Sequence, residues 1–405
     1  MLRLFNTLSK SIETFRPAKD QTVTIFTCGP SVYGRAHIGN FRTFLFEDIL
    51  VRYLEYLGYK VKRGMNFTDI EDKAAQEAKK RGISVWELTG KNMRNFTKQM
   101  KLLRMKTPHY LPKASESIEE AVAIIDRLLD GGIAYRYRGN IYFDPLKFPD
   151  FGRLYGLDMT KWPTKRRRFH QDTYPGMRWN RGDFILWHRC GPGDTVCWDS
   201  RIGKGRPSWN SQDASMVSMH FHGTLSIYCG GIDNLFRHHD YTRAILESVR
   251  SYPMAKYWLH CHQLVVNGKK MSKGRGNICY TDNLIEDGYT PGEIRFFLIY
   301  GHYRKKLNYS RRSMAAAVQR LRNLRIIVGL IRERAMEATE YKGLISKRID
   351  ATFTQKMDND LDVKRAFDAV SELLSGLQIR DLRPGVAVGI MGALRKIDQV
   401  LKVIF

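Results

Sequence analysis

Apolar positions recur along the chain in two rhythms. Residues 22–28 (Thr-Val-Thr-Ile-Phe-Thr-Cys) are uncharged and β-branched, which predicts a buried strand. Gly29-Pro30 breaks it. From Asn40 to Leu57 the apolar residues Phe44, Leu45, Ile49, Leu50, Tyr53, Leu54 and Leu57 fall at helical spacing, with Gly58 as the expected stop. Residues 59–68 predict a second strand. Strand, helix and strand within about fifty residues make a βαβ unit and hence a parallel α/β sheet. Further helices are predicted over 70–81, 85–105 and 115–130, the last opened by acids. From Gly132 to about Gly205 the texture changes to short strands with Gly, Pro and Trp. This predicts an insertion, spanning about 110–205, between two halves of the sheet. Strand and helix texture returns over 225–264. From Arg311 the chain reads as helices only, with 362–377 amphipathic.

Composition narrows the picture. A chain of 405 residues implies two or three domains. No apolar run is long enough to cross a bilayer and Met1–Phe5 opens no signal segment, so a cytoplasmic protein without a membrane partner is expected. The six cysteines (Cys28, Cys190, Cys197, Cys229, Cys261, Cys279) form no CxxC pair, and their scatter predicts buried thiols rather than a disulfide framework. The net charge of +26 points to a polyanion such as nucleic acid. Basic residues concentrate at Lys165–Arg168, beside Trp162 and Phe169, and over 311–348, where ten Lys/Arg stand against three Glu.

Two segments carry chemistry. Pro30–Asn40 lies between the first strand and the first helix. A glycine there lets backbone approach a ligand, and a helix N-terminus favours phosphate, which puts His37 and the Asn40 amide at the phosphates of ATP. Lys269–Asn277 (KKMSKGRGN) follows a strand at 263–266 and a turn at Asn267-Gly268. Its lysines, on a glycine-rich loop, suit charge developing on a phosphate group. Taken alone, the first segment is better read as a plain strand–helix turn, and the second is equally well read as a solvated basic loop. In this order and at this separation, the pair resembles the two signature sequences of class I aminoacyl-tRNA synthetases. That resemblance implies in-line attack of a carboxylate on the ATP α-phosphate to give an aminoacyl adenylate, with ATP and Mg2+ as cofactors. Positioning and electrostatics carry such a step, with no covalent enzyme intermediate.

From about residue 20 to 310 the sequence is similar to cysteinyl-tRNA synthetases. Cys28–Tyr33, Asn66–Lys73, Gly182–Trp187, Gly205–Trp209, Gly230–Asp233, Phe236–His239 and Gly301–Arg304 all resemble landmarks of that family, and Met357–Asp362 resembles its helical bundle. The resemblance implies a Rossmann-like parallel-sheet catalytic domain over 1–310, with its catalytic-loop region at 265–310, followed by an α-helical bundle over 311–405. His37, Asn40, Lys270 and Lys273 take the catalytic roles. Gly29, Gly39, Gly230, Gly231 and Asp233 join them around ATP, the last three under the adenosine. Thr68 and Trp209 line the amino-acid pocket with Cys28, Asp213 and His238. The implied partners are an amino acid and the acceptor arm of tRNA.

The pattern departs from the family at two places. The family holds zinc with two cysteines, a histidine and a glutamate. Here Cys28 and His238 remain, Asp213 and Thr242 stand at the other two positions, and Tyr228 replaces a histidine. Threonine is a poor zinc ligand and one thiolate is gone, which predicts loss of the metal ahead of a site shifted onto His239 or Asp240. Without zinc the pocket discriminates a small thiol poorly, and a carboxylate at Asp213 would favour a cationic or hydroxylated side chain. The family also continues past its bundle into an anticodon-reading domain, beyond the 405 residues here. On the resemblance, the expected function is ATP-dependent charging of tRNA, with indifference to the anticodon. The alternative is a tRNA-independent ligase joining the activated amino acid to a small amine, like the mycothiol-pathway cysteine ligase. An idle RNA-binding relative would have no need of His37, Lys270 and Lys273.

Overall fold

A computed structural model of the chain describes residues 1–17, 20–159, 183–337 and 344–405. At its centre four parallel strands run in the order Ala255–Cys261, Leu225–Gly231, Thr22–Thr27, Lys60–Met65. Ile25, Phe26 and Ile227 are fully buried, which is why the strands read as near-continuous apolar runs rather than alternating ones. The helix Ile38–Tyr56 crosses between the first two strands and buries the apolar face seen in the sequence. It starts two residues before Asn40, because His37 caps it. The ring Nδ1 accepts from the Asn40 N–H at 3.3 Å while Asn40 Oδ1 accepts from the His37 N–H at 3.0 Å. Apolar spacing carries no signal for a cap of this kind.

Helices follow at Asp72–Arg81, Val85–Leu102 and Ile118–Asp130. The last begins three residues later than its acids suggested. Ser115 is held instead by Asp69, whose carboxylate accepts from its N–H at 3.0 Å and its hydroxyl at 2.6 Å. The insertion contains an antiparallel sheet of Ala134–Tyr137, Asn140–Phe143, Phe184–Arg189 and Gly205–Pro207. Its loop corrects one expectation. Cys190 and Cys197 are disulfide-bonded, their Cα atoms 6.2 Å apart. Gly191-Pro192-Gly193 turns the chain between them, with Gly193 at φ +87°. A seven-residue spacing around a Gly-Pro-Gly turn was the overlooked signal; the other four cysteines are free thiols.

A small sheet of Lys269–Lys270, Leu264–Val266 and Leu307–Tyr309 carries the lysine-rich loop. Asn267 and Gly268 make the hairpin turn with φ +48° and +75°, the conformation that Asn-Gly favours. Helices Arg311–Ala335, Leu344–Met357, Val363–Ser375 and Pro384–Leu401 complete the described chain. They share a core with the sheet region: Phe296 packs on Phe367 with ring centres 4.5 Å apart. Buried Arg295 pairs with buried Asp48 at 2.6 Å and donates to the Leu401 and Leu103 carbonyls at 2.7 and 2.9 Å. The N-terminus is tied to the same region. The Arg3 N–H donates to the Asp358 carbonyl at 2.8 Å, and the Arg3 carbonyl accepts from the Asp360 N–H at 2.9 Å. The Lys165–Arg168 cluster lies outside the described residues.

Candidate active site

The carboxyl ends of Thr22–Thr27 and Leu225–Gly231 lie side by side where the chain departs to opposite sides of the sheet. In an open parallel sheet this is where ligands bind. Cys28, Gly29, Gly230, Gly231 and, from the next strand, His262 all leave the sheet at this edge.

Gly29 is fixed by its neighbour. Its N–H donates to Asn66 Oδ1 at 2.7 Å, and a β-carbon there would sit 1.8 Å from the Asn66 carbonyl oxygen. Asn66 Nδ2 in turn donates to Thr68 Oγ1 at 3.3 Å, which sets the buried Thr68 beside the pocket. The sequence motif contained Asn66, but only the fold shows it clamping Gly29 and Thr68 together. Gly29→Ala is therefore expected to destabilise the protein by about 1–3 kcal/mol, as overpacking against rigid backbone does. A thermal melt would show it, and an unchanged melting temperature would contradict the contact.

The two signature segments meet. Met271 is buried, its terminal methyl 3.8 Å from the β-position of Gly39, and the Ile38 N–H donates to the Cys279 carbonyl at 3.0 Å. The lysine loop is thereby anchored on the N-terminus of the first helix, where the Ile38 and Asn40 N–H groups are taken by Cys279 and His37 and the helix dipole still favours an anion. With Nδ1 in the cap, Nε2 is the His37 atom left for a ligand. Burial holds His37 below the ordinary histidine pKa, opposed by its backbone hydrogen bond and by Asp233. Lys270 is exposed, and its carbonyl accepts from Asn277 Nδ2 at 3.2 Å. Lys273 begins a short turn, Lys273–Arg275. At Gly231 a β-carbon would come within 2.6 Å of Asp233 Oδ1, so this glycine makes room for the exposed Asp233 carboxylate.

Beside Cys28 lies a buried polar nest. Helix Trp209–His220 starts at the cap Ser208 and buries Asn210 and Asp213. Trp209 stacks on His238 with ring centres 3.8 Å apart and planes 8° from parallel. Tyr228 donates its hydroxyl to Asp213 Oδ2, and His238 Nε2 lies 3.6 Å from the same oxygen. Burial pushes the Asp213 carboxyl up to about 7 against the Tyr228 hydrogen bond, and pushes the Cys28 thiol well up. Burial also drives His239 down to about 3 and His238 well below its ordinary value, so both imidazoles are neutral. The structure brings Cys28 Sγ and one ring nitrogen each of His238 and His239 within 4.8 Å of one another, all three buried. Thr242 is buried too, its hydroxyl without a partner among the described residues. Asp240 stays apart, accepting from the Tyr155 N–H at 3.1 Å. His239 Nδ1 also lies 2.8 Å from His260 Nε2; this contact and the Tyr228–Asp213 one were not legible in the sequence, since residues far apart in the chain meet only in the folded pocket.

The architecture is that of the class I synthetases. Mycobacterium tuberculosis methionyl-tRNA synthetase bound by methionyl-adenylate superposes with a TM-score of 0.66 at 14% identity, covering 96% of this chain and 92% of that one. A leucyl enzyme, Agrobacterium radiobacter K84 agnB2 LeuRS in a ternary complex with tRNA and LeuAMS, gives 0.70 at 10% identity, covering 96% and 85%. Residues 14–320 match the family model described as tRNA synthetases class I (C) catalytic domain. Over 100% of its length the chain is 35% identical to the cysteine--tRNA ligase of Chlamydia muridarum (strain MoPn / Nigg), covering 88% of that protein. It is 37% identical to that of Koribacter versatilis (strain Ellin345), covering 82%. The chain therefore belongs to the cysteinyl-tRNA synthetase family.

Proposed function

We propose that this chain activates cysteine with Mg2+-ATP as the aminoacyl adenylate and transfers it to the acceptor arm of tRNA, in the cytoplasm. The observation that carries this reading is the docking of the two signature segments, Met271 against Gly39 and Ile38 on Cys279. It brings a helix N-terminus with His37 and Asn40, and a loop with Lys270 and Lys273, to one edge of the sheet. Triphosphate would lie between them, with Gly29 and Gly39 beside it and the adenosine over Gly230, Gly231 and Asp233. The catalytic domain is assigned to residues 1–310 and the bundle to 311–405.

Cysteine is favoured over a cationic side chain for a specific reason. The Asp213 carboxylate is engaged by Tyr228 and is pushed toward its neutral form by burial, so it is a poor anion for a cation to seek. Cys28, Thr68, Trp209, Asp213 and His238 would form the side-chain pocket. The donor set implied by the sequence alone, Cys28, Asp213, His238 and Thr242, does not suit zinc, since the Thr242 hydroxyl is no usual ligand. The relatives, matched over 82–88% of their own length, are named for charging tRNA, which disfavours the small-amine ligase.

For tRNA, the helix Arg311–Ala335 is less available than its charge suggested. Arg322 is paired with Glu293 at 2.6 Å, while Arg325 and Arg334 donate to the Val403 and Leu382 carbonyls. Arg311, Arg312 and Arg320 remain exposed. A groove lined by Arg94, Lys98, Lys101 and Lys113 opens next to Phe67 and offers a second basic surface close to the pocket. Phosphate contacts there would position the acceptor arm without reading sequence.

Pyrophosphate exchange with each amino acid in turn, followed by charging of total tRNA, tests the assignment. Cysteine-dependent exchange and cysteinyl-tRNA are expected. Exchange with another amino acid alone, or product on a small amine alone, would overturn it. Replacing Arg311, Arg312 and Arg320 together by alanine should flatten the log–log salt dependence of tRNA binding by roughly 2 to 3 units, at ~0.7–0.9 per phosphate contact. An unchanged slope would move the RNA to another surface.

A further inference from the structure

The disulfide-bonded Cys190 and Cys197 take no part in the site described above. Both are half-buried, and the loop residues 191–195 between them are exposed. Cys190 also lines a cavity of about 490 Å³, together with Arg138, Asn140, Tyr142, His188 and Arg189; Cys197 is not among its walls.

The charge of this cavity is built in. Arg138 and Gly139 form the two-residue hairpin between Ala134–Tyr137 and Asn140–Phe143, with φ +49° and +83°. The glycine serves a second purpose. A β-carbon there would sit 2.4 Å from Arg189 Cδ, so its absence lets the Arg189 side chain pass beside the turn. The Arg189 N–H donates to Asn140 Oδ1 at 2.8 Å, and Asn140 Nδ2 donates to the Tyr142 hydroxyl at 3.2 Å. Arg138 rests over the Tyr137 ring, its Cζ 5.3 Å from the ring centre. Two exposed guanidinium groups thus stand beside one sulfur, neither in an ion pair among the described residues. His188 adds no charge: burial, with Arg206 nearby, brings it down to about 4 against Asp72 and Asp194. The Asp194 carboxylate is itself engaged by the Gly191 N–H at 2.7 Å.

We propose that Cys190–Cys197 is a thiol–disulfide exchange site, and that its cavity docks the carboxylate of a small anionic thiol on Arg138 and Arg189. Guanidinium forks match carboxylate geometry. An electropositive, partly exposed setting is the one in which cysteines react. In the cytoplasm, disulfides are for the most part transient or redox-sensing. The docked thiolate attacks Cys190 Sγ; a new S–S bond forms there as the Cys190–Cys197 bond breaks and Cys197 leaves as a thiolate. A second thiolate attacks the sulfur of the bound thiol and releases the small disulfide, leaving Cys190 as a thiolate. Two electrons pass from the two small thiols to the protein, and the two protons lost by those thiols are available to the cysteines. The reaction is independent of adenylate formation and of the amino acid activated.

The test uses the full chain, purified without reductant. It is treated with mercaptopropionate or, in parallel, with neutral mercaptoethanol, and freed thiols are alkylated and located by peptide mass. Per thiolate, mercaptopropionate should open the bond at least about tenfold faster at low salt, the lower end of electrostatic steering. Molar salt, which screens charges beyond ~3 Å, should erase the advantage. Replacing Arg138 and Arg189 together by alanine should erase it too while leaving the mercaptoethanol rate unchanged. Two charges out of a net +26 leave the overall field nearly intact, so that loss locates the preference in the cavity. In Cys197→Ser, the disulfide of mercaptopropionate should leave an adduct on Cys190, formed faster than the adduct on Cys197 in Cys190→Ser. Equal rates for the two thiols would overturn the proposal, as would a preference that survives loss of both arginines or an adduct that forms faster on Cys197. So would two free thiols in wild-type protein exposed to the small disulfide. If the doubly substituted chain does not melt like wild type, the wild-type rates and their salt dependence still decide.

Discussion

Lys270→Ala and Lys273→Ala are each expected to lower amino-acid-dependent ATP–pyrophosphate exchange by about a hundredfold or more, the scale of losing one charge-stabilising group. The loop they sit on is held at both ends. Val265 and Val266 pair it to the small sheet, Met271 plugs it against the first helix, and Asn277 closes it back on the Lys270 carbonyl. The ends are fixed while Lys270 projects into solvent, a design in which the charge arrives without a large ordering cost. Removing the charge leaves the anchor, so KM for ATP should change far less than kcat. The reading fails if both variants exchange within fivefold of wild type, or if KM alone rises.

Arg295→Met should cost roughly 3–5 kcal/mol of stability, because it leaves a buried carboxylate short of its closest cation. Arg295 and Asp48 are both fully buried. Burial alone would push the Asp48 carboxyl up, but Arg295, Arg52 and the Lys106 N–H outweigh it and hold the group below its ordinary value. A carboxyl depressed in the folded state stabilises above its unfolded pKa near 4, and that contribution is lost as pH falls through the folded value. The variant should therefore show a lower urea midpoint at pH 7 and a weaker dependence of that midpoint on acid than wild type. Arg52 still faces Asp48 at 2.8 Å, which places the expected loss at the lower end of the range. An unchanged midpoint would mean that the pair contributes nothing to joining sheet and bundle.

What the sequence reveals is what repeats or stands together. Thr22–Thr27 and Ile38–Tyr56 are long and periodic, so local pattern locates them within two residues. The two signature segments are contiguous and carry their chemistry in plain view. The pocket is different, because its groups come from strands, helices and loops brought together by the sheet. Cys28, Asp213, Tyr228, His239 and His260 span more than half the chain, and no local rule pairs Tyr228 with Asp213 or His239 with His260. The basic helix shows the converse error. Charge counting treats Arg322, Arg325 and Arg334 as free, whereas each is bound within the protein. Cys190 and Cys197 are seven positions apart, too close to stand out among six cysteines, until a Gly-Pro-Gly turn brings the sulfurs together.

The bonds between Arg3 and residues 358–360 also set the order of events during synthesis. The Met1 amine reaches Asp358 across 357 residues. A ribosome adding about 5–20 residues per second needs roughly 20–70 s to make that stretch. Until residues 256–258 are made, the strand Arg3–Asn6 pairs only with Ser11–Thr14; Asn6 and Thr7 then bond to Lys256 and Trp258, and Arg3 waits for residues 358–360. The parallel sheet likewise waits for residues 225–261 before its first strand has neighbours on both sides. The nascent chain therefore carries an N-terminal third, largely helical with four short strands, whose last tie at Arg3 forms only once residues 358–360 have been made.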